Sequence, residues 1–221
     1  ILHIDASVDI FDPPDIDDVL YRVYELLDYC YEVARRENRN VLFEIGTEEQ
    51  SGLTNTIENY EYILSEVTKY CSKSKIPFPT FFVVQTGTKV METRNVGTFD
   101  SPFRIAYEIP AEIQIPKIIE LCSRYHIFMK EHNTDYLSNS ALSWHPKFGI
   151  HAANVAPEFG VTETRAFLEL LESNNLGKLA ENFLEIAYSS NKWRKWMTEN
   201  SKATDRDKAI IAGHYVFSTT E

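Results

Sequence analysis

Five short apolar runs in this chain each close on polar groups: HIDAS at 3–7, FEIGTEEQ at 43–50, FFVVQTG at 81–87, FMKEHNTDY at 128–136 and GIHAAN at 149–154. Runs this short and this rich in β-branched and aromatic residues read as strands. Between them, apolar residues recur at three- and four-residue spacing, which reads as amphipathic helix. Strand–helix alternation repeated about five times demands a parallel sheet with helical crossovers. Strands that end in Asp, Glu, Gln or His bring those groups to one rim, where a (β/α) barrel builds its pocket. The pattern therefore points to a pocket before any residue has a chemical role.

Along the chain, the first strand covers about 2–5 and an acidic loop with Pro13-Pro14 follows. Val19, Val23, Leu26, Leu27, Cys30 and Val33 mark the buried face of a helix over about 15–37. VLFEIG (41–46) is a strand, and Thr54 or Asn55 caps a helix to about 74. TFFVVQ (80–85) is the next strand, and the long stretch 86–111 reads as irregular, the kind of loop that serves as a lid or binding loop. A helix to about 124, a strand at 126–132, a short helix at 136–143, a strand at 148–152 and a helix at 162–173 complete the alternation. From 176 to 213 the pattern is helical throughout, and NKWRKWM (191–197) is expected as an amphipathic helix with its Trp residues packed on the barrel. The expected organisation is a barrel portion over 1–175 and a helical extension over 176–221. Both ends stop on apolar runs, which reads as part of a longer protein.

A net charge of -11 argues against a nucleic-acid or anionic-membrane surface. Three cysteines, Cys30, Cys71 and Cys122, lie far apart on helical segments, as free thiols in a reducing compartment do. No apolar run approaches the roughly 18 residues that span a bilayer. The expectation is a cytoplasmic protein without nucleic-acid or membrane partners.

His132 and Asp135 stand three apart just past a strand: a neutral imidazole there suits a divalent metal, with Asp135 orienting it, while the plain alternative is a turn in which Asp135 caps the next helix. Asp5 and Glu48 also end strands, as carboxylates able to move protons or hold metal, or else paired with backbone amides, Arg104 or Lys89. Glu44, inside its strand, reads as core-facing, and His3 shares a face with Asp5. Gln85 offers amide hydrogen bonds to sugar hydroxyls. His151 with Asn154 is a last-strand ligand or sugar contact. Arg104, Arg94 and Lys89 are the best anion binders, though loop arginines are commonly just solvated.

Four of these motifs, in order, carry a resemblance. His3-Ile4-Asp5-Ala6-Ser7, Ile45-Gly46-Thr47-Glu48, Val83-Val84-Gln85-Thr86-Gly87 and His132-Asn133-Thr134-Asp135-Tyr136 resemble the so-called non-catalytic subunit of class II tagatose-bisphosphate aldolases over residues 1 to about 200. The resemblance implies a (β/α)8 TIM barrel of which this chain supplies about strands four to eight. It departs at the family's glycine-rich GG-D-H motif, which is absent, and at the last strand. There Ile150-His151-Ala152-Ala153-Asn154-Val155-Ala156-Pro157 replaces a pattern like L-K-V-G-P-A, without its lysine.

The resulting expectation is a carbohydrate-metabolism barrel acting on a ketose (bis)phosphate or related sugar by metal-assisted aldol cleavage or epimerisation. Asp5 and Glu48 are its catalytic groups, and Gln85, Asp135, Asn154 and Arg104 hold substrate. A divalent metal, zinc foremost, sits on His132 and His151. The alternative is a non-catalytic subunit that stabilises a separate aldolase chain; an aldolase partner or a homo-oligomer belongs with either reading.

Overall fold

Residues 1–7, 14–46, 55–198 and 200–219 are described by a computed structural model. They form two compact units, Ile1–Lys89 with Val96–Asn154, and Val90–Asn95 with Val155–Glu221. Thr47, Glu48 and Thr54 lie outside the described residues.

The first unit is α/β. Strands β1 (Leu2–Asp5), β2 (Phe43–Gly46), β3 (Phe81–Val84), β6 (Phe128–Glu131) and β7 (Ala152–Ala153) make one sheet in the order β1-β2-β3-β6-β7, parallel at every junction. Helices α1 (Ile16–Arg36), α2 (Ile57–Ser74), α3 (Ala111–Arg124) and α4 (Asn139–Phe148) connect these strands. The alternation read from the sequence is the observed one.

The registry aligns Ile4, Ile45, Phe82 and Met129 in one row. That row is buried against Leu20, Val23 and Leu27 of α1, Ile63, Leu64 and Val67 of α2, and Ile115, Ile118 and Leu121 of α3. Each such side chain contributes about 1.5–3 kcal/mol by leaving water. Because side chains alternate along a strand, the neighbouring rows face the other way. His3, Glu44, Phe81 and Phe128 form one of these rows, and Asp5, Gly46, Val83, Lys130 and Ala152 the next. Phe128 keeps half its surface exposed, so this second face is open within the unit.

Helix starts explain where the elements begin. Asp15 caps α1 by accepting the Asp18 N–H at 2.8 Å, with Asp17 and Asp18 favourably placed in the first turn. α2 is capped by Thr56 rather than by Thr54 or Asn55, its Oγ1 accepting the Asn59 N–H. α4 starts later than expected, at Asn139, because Ser138 and not Asp135 caps it. Inside the stretch read as irregular, strands β4 (Lys89–Met91) and β5 (Arg94–Val96) pair as a small hairpin. Three-residue strands carrying charges leave no periodic signal.

The second unit is helical apart from the hairpin residues Val90–Asn95: α5 (Pro157–Ser173), α6 (Gly177–Ser189) and α7 (Asp205–Ala212). Pro157 opens α5 at its first position, earlier than the expected start, where a missing N–H costs nothing. NKWRKWM is not a helix but a single 3₁₀ turn, Arg194–Trp196. Trp193 stacks on Tyr188 and donates its indole N–H to the Tyr188 carbonyl, which ends the regular structure after α6. The three cysteines are free thiols on α1, α2 and α3; burial pushes Cys71 up to about 11 and Cys122 up to about 12, so both stay protonated. No helix among the described residues is long and apolar enough to cross a membrane.

Candidate functional site

The open sheet face carries a polar cluster in the middle of the strands. Glu44 Oε1 accepts from His3 Nδ1 at 2.8 Å and from Lys130 Nζ at 2.8 Å. Lys130 on β6 thus reaches past β3 to β2, over the short side chain of Val83 and the bare backbone of Gly46 in its row. The carboxylate is buried and Lys130 is largely so, with 18% of its side chain exposed. Two donors on one carboxylate oxygen satisfy a charge that burial would otherwise penalise. Glu44, read as core-facing, is buried on this polar face, where its register partners His3 and Phe81 point the same way.

Asp5 ends β1 on the same face. It is exposed, and Oδ1 accepts from the backbone N–H and the hydroxyl of Ser7, which holds the carboxylate at the strand tip. His132 follows β6, its N–H extending the ladder to the Val84 carbonyl. Burial, chiefly, drives the His132 imidazole down to about 4; Asp5 opposes the shift, and His3 and Lys130 add to it. His132 is therefore neutral at neutral pH and lies within electrostatic reach of Asp5, His3 and Lys130. This is the group of residues the structure brings together.

The turn after His132 is stiffly built. Asn133 and Tyr136 take left-handed backbone conformations, φ 56° and 57°, which cost non-glycine residues about 1–2 kcal/mol each. Compensating bonds hold it: Thr134 donates its N–H and hydroxyl to the Asn154 carbonyl, and Asn133 donates its amide to the Thr88 carbonyl. Asp135 is buried inside this turn, 2% exposed. Asn154 thus acts here through its backbone. Gln85 is buried at the end of β3, and its carbonyl accepts the Tyr60 hydroxyl at 3.2 Å.

Two of the expected residues lie elsewhere. His151 does not meet His132. It precedes β7, its N–H bonds the Met129 carbonyl, its Nδ1 accepts the Met129 N–H, and its ring packs on Phe128 at 4.6 Å. Level with Met129, it sits three residues lower than His132, roughly 10 Å along the strand direction. Arg104 is occupied with its own loop, donating to the Thr98, Ser101 and Phe103 carbonyls and pairing with Glu112 at 3.1 Å. Among the described residues no three His, Cys, Asp or Glu side chains converge as a metal would need. Glu48 is outside those residues.

Lys130 went unnoticed in the sequence, although alternation through FMKEH sets it on the face of Phe128 and His132. A second group had no local signal at all. Glu131, on the helix-covered face, receives His145 Nε2 at 2.6 Å and the Thr86 hydroxyl, all three buried.

No protein-family model matches the chain, and no curated protein sequence does. Solved structures share its fold. A probable tagatose 6 phosphate kinase from Sinorhizobium meliloti superposes with a TM-score of 0.65 at 16% identity, over 97% of this chain and 55% of that one. The native fructuronate-tagaturonate epimerase of Cohnella laeviribosi gives 0.59 at 13% identity, over 91% and 41% respectively. The chain spans about half the length of these neighbours.

Proposed function

We propose that this chain forms the pocket-bearing part of a (β/α)8 barrel enzyme of carbohydrate metabolism, contributing about strands four to eight. Its substrate is a ketose phosphate or a sugar acid, and its chemistry is aldol cleavage or epimerisation through the same bond-breaking step. The observation that carries the reading is the Lys130–Glu44–His3 cluster on the open sheet face, with the Asp5 carboxylate and neutral His132 at strand ends within electrostatic reach of one another. The names of the two structural neighbours, a tagatose 6 phosphate kinase and an epimerase of keto sugar acids, support the substrate class.

In such a reaction the Asp5 carboxylate takes the proton of the hydroxyl next to the carbon–carbon bond that breaks. The electron pair passes to the ketose carbonyl, giving an enediolate, and the Lys130 ammonium offsets that charge. Readdition to the opposite face of the new carbonyl gives the epimer; departure of the fragment gives cleavage. Neutral His132 and the Gln85 amide position hydroxyls. Glu48 would serve as a second acid–base group of the same step.

The test is turnover of ketose phosphates and keto sugar acids by the purified full chain, followed by NMR. Asp5→Asn keeps shape and removes the charge, so turnover should fall by about two orders of magnitude or more while sugar binding changes far less. No turnover on any of them, with no gain in stability or activity of a companion aldolase chain when this chain is added, overturns both the enzyme reading and the partner-subunit reading. Support for a companion aldolase without turnover of its own identifies the non-catalytic subunit.

A further inference from the structure

A cavity of about 450 Å³ lies in the first unit between the first turn of α2, the chain at 107–109 and one face of α3. No strand residue lines it, so it is separate from the polar sheet face, and the inference does not rest on the reading above. Its volume falls within the range of about 300–1,000 Å³ typical of small-molecule sites.

The walls are mostly apolar. Ile57, Tyr60, Ile109, Ile113 and Ile118 all line the cavity. Ile109 and Ile113 leave 56% and 48% of their surfaces uncovered. Isoleucines grouped around a hollow lose free energy to water that an apolar occupant would recover. The polar complement is Asn55, Thr56, Glu58, Glu108, Gln114 and Lys117. Gln114 is 8% exposed, and its amide is fixed by donating Nε2–H to the Ile109 carbonyl. Glu58 and Lys117 line the same cavity, and neither has an ion pair among the described residues.

This lining favours an apolar body over the hydroxyls of a sugar, which would go unpaired against isoleucine. It suits a molecule with an apolar body and a head carrying both signs of charge. We infer that the cavity binds a hydrophobic amino acid, its carboxylate on Lys117, its ammonium on Glu58 and its side chain on Ile109 and Ile113. Tyr60 forms one wall while its hydroxyl holds the Gln85 carbonyl, so an occupant touches the side chain that fixes the end of β3.

Calorimetric titration of the full chain with L-phenylalanine, phenethylamine and phenylacetate tests this. Phenylalanine should saturate about tenfold more tightly than either singly charged analogue. Lys117→Met should bring phenylalanine to the level of phenethylamine. Ile113→Glu, at an exposed position in the first turn of α3 where an acid suits the helix, should abolish binding of all three. Ile109→Trp, which fills the hollow, gives the same readout if Ile113→Glu melts early. Equal affinities for the three probes, binding unchanged by the blocking variants, or no saturation by any probe at about 10 mM overturns the inference.

Discussion

His145 Nε2 lies 2.6 Å from Glu131 Oε2, while its Nδ1 lies 2.8 Å from the Ala141 carbonyl one turn back on α4. A carbonyl oxygen only accepts, so Nδ1 carries a proton. The carboxyl group also accepts on its other oxygen from the Thr86 hydroxyl, and it shares a proton with Nε2 through Oε2. Ring and carboxyl are buried together, and the pair joins α4 to the ends of β3 and β6.

Removing one partner of this pair should be expensive. Glu131→Ala leaves the buried His145 ring, and His145→Ala the buried Glu131 carboxyl, without its partner; each should cost about 3–5 kcal/mol, measured by urea unfolding. The double replacement should cost less than the sum, because the second change removes the group that the first left unpaired.

His145 and His132 should bend the pH–stability profile in opposite directions. Burial lowers the His145 pKa, but the Glu131 hydrogen bond, the Ala141 carbonyl and the charges of Glu131 and Asp100 outweigh it, so the folded value stands above the ordinary 6.5. Its contribution is fully present below 6.5 and is lost as pH rises through the folded value. His132 is driven to about 4 from 6.5, so the unfolded chain binds the extra proton between those values and stability is lost as pH falls through them. Melting temperatures from pH 4 to 9 should show His145→Gln flattening the alkaline limb and His132→Gln flattening the acid one. Unchanged limbs would remove this account.

Glu44→Gln is expected to act on the site more than on the fold. The amide still accepts one hydrogen bond, but the charge that holds Lys130 and His3 is gone, so Lys130 loses its fixed position. Stability should drop by about 1–3 kcal/mol, the usual range for a lost hydrogen bond to a charged group. Turnover should fall by a larger factor than that loss of folded protein explains, and Glu44→Asp should restore part of it. Equal losses in stability and turnover would make Glu44 a purely structural residue.

Gly97 tests the backbone. Its φ is 93°, and a Cβ there would meet the Gly87 carbonyl oxygen at 2.1 Å. Gly97→Ala should therefore cost more than about 2 kcal/mol in a thermal or urea melt, since both the dihedral and the space oppose it. Gly177→Ala, where a Cβ meets nothing within 4 Å, is the neutral control.

What the sequence determined by itself is what is periodic and local. The buried stripe Val23 and Leu27 of α1, the alternation that sets His3 beside Asp5, and the polar ends of β1, β3 and β6 follow from spacings of two and three to four residues. Caps were legible only to within a residue or two, because Thr54, Asn55 and Thr56 are all able to accept an N–H and the final turn decides among them. Tertiary structure alone decided the pairings that give the site its electrostatics. Lys130 meets Glu44 across 86 positions, and Thr86 meets Glu131 across 45. Those meetings depend on which strands neighbour one another and on their register, and a one-residue slip turns every side chain to the other face. The same dependence moved His151 away from His132: short β7 sets its level by pairing Lys130 with Ala152, a choice made by the sheet and not by the letters GIHAAN.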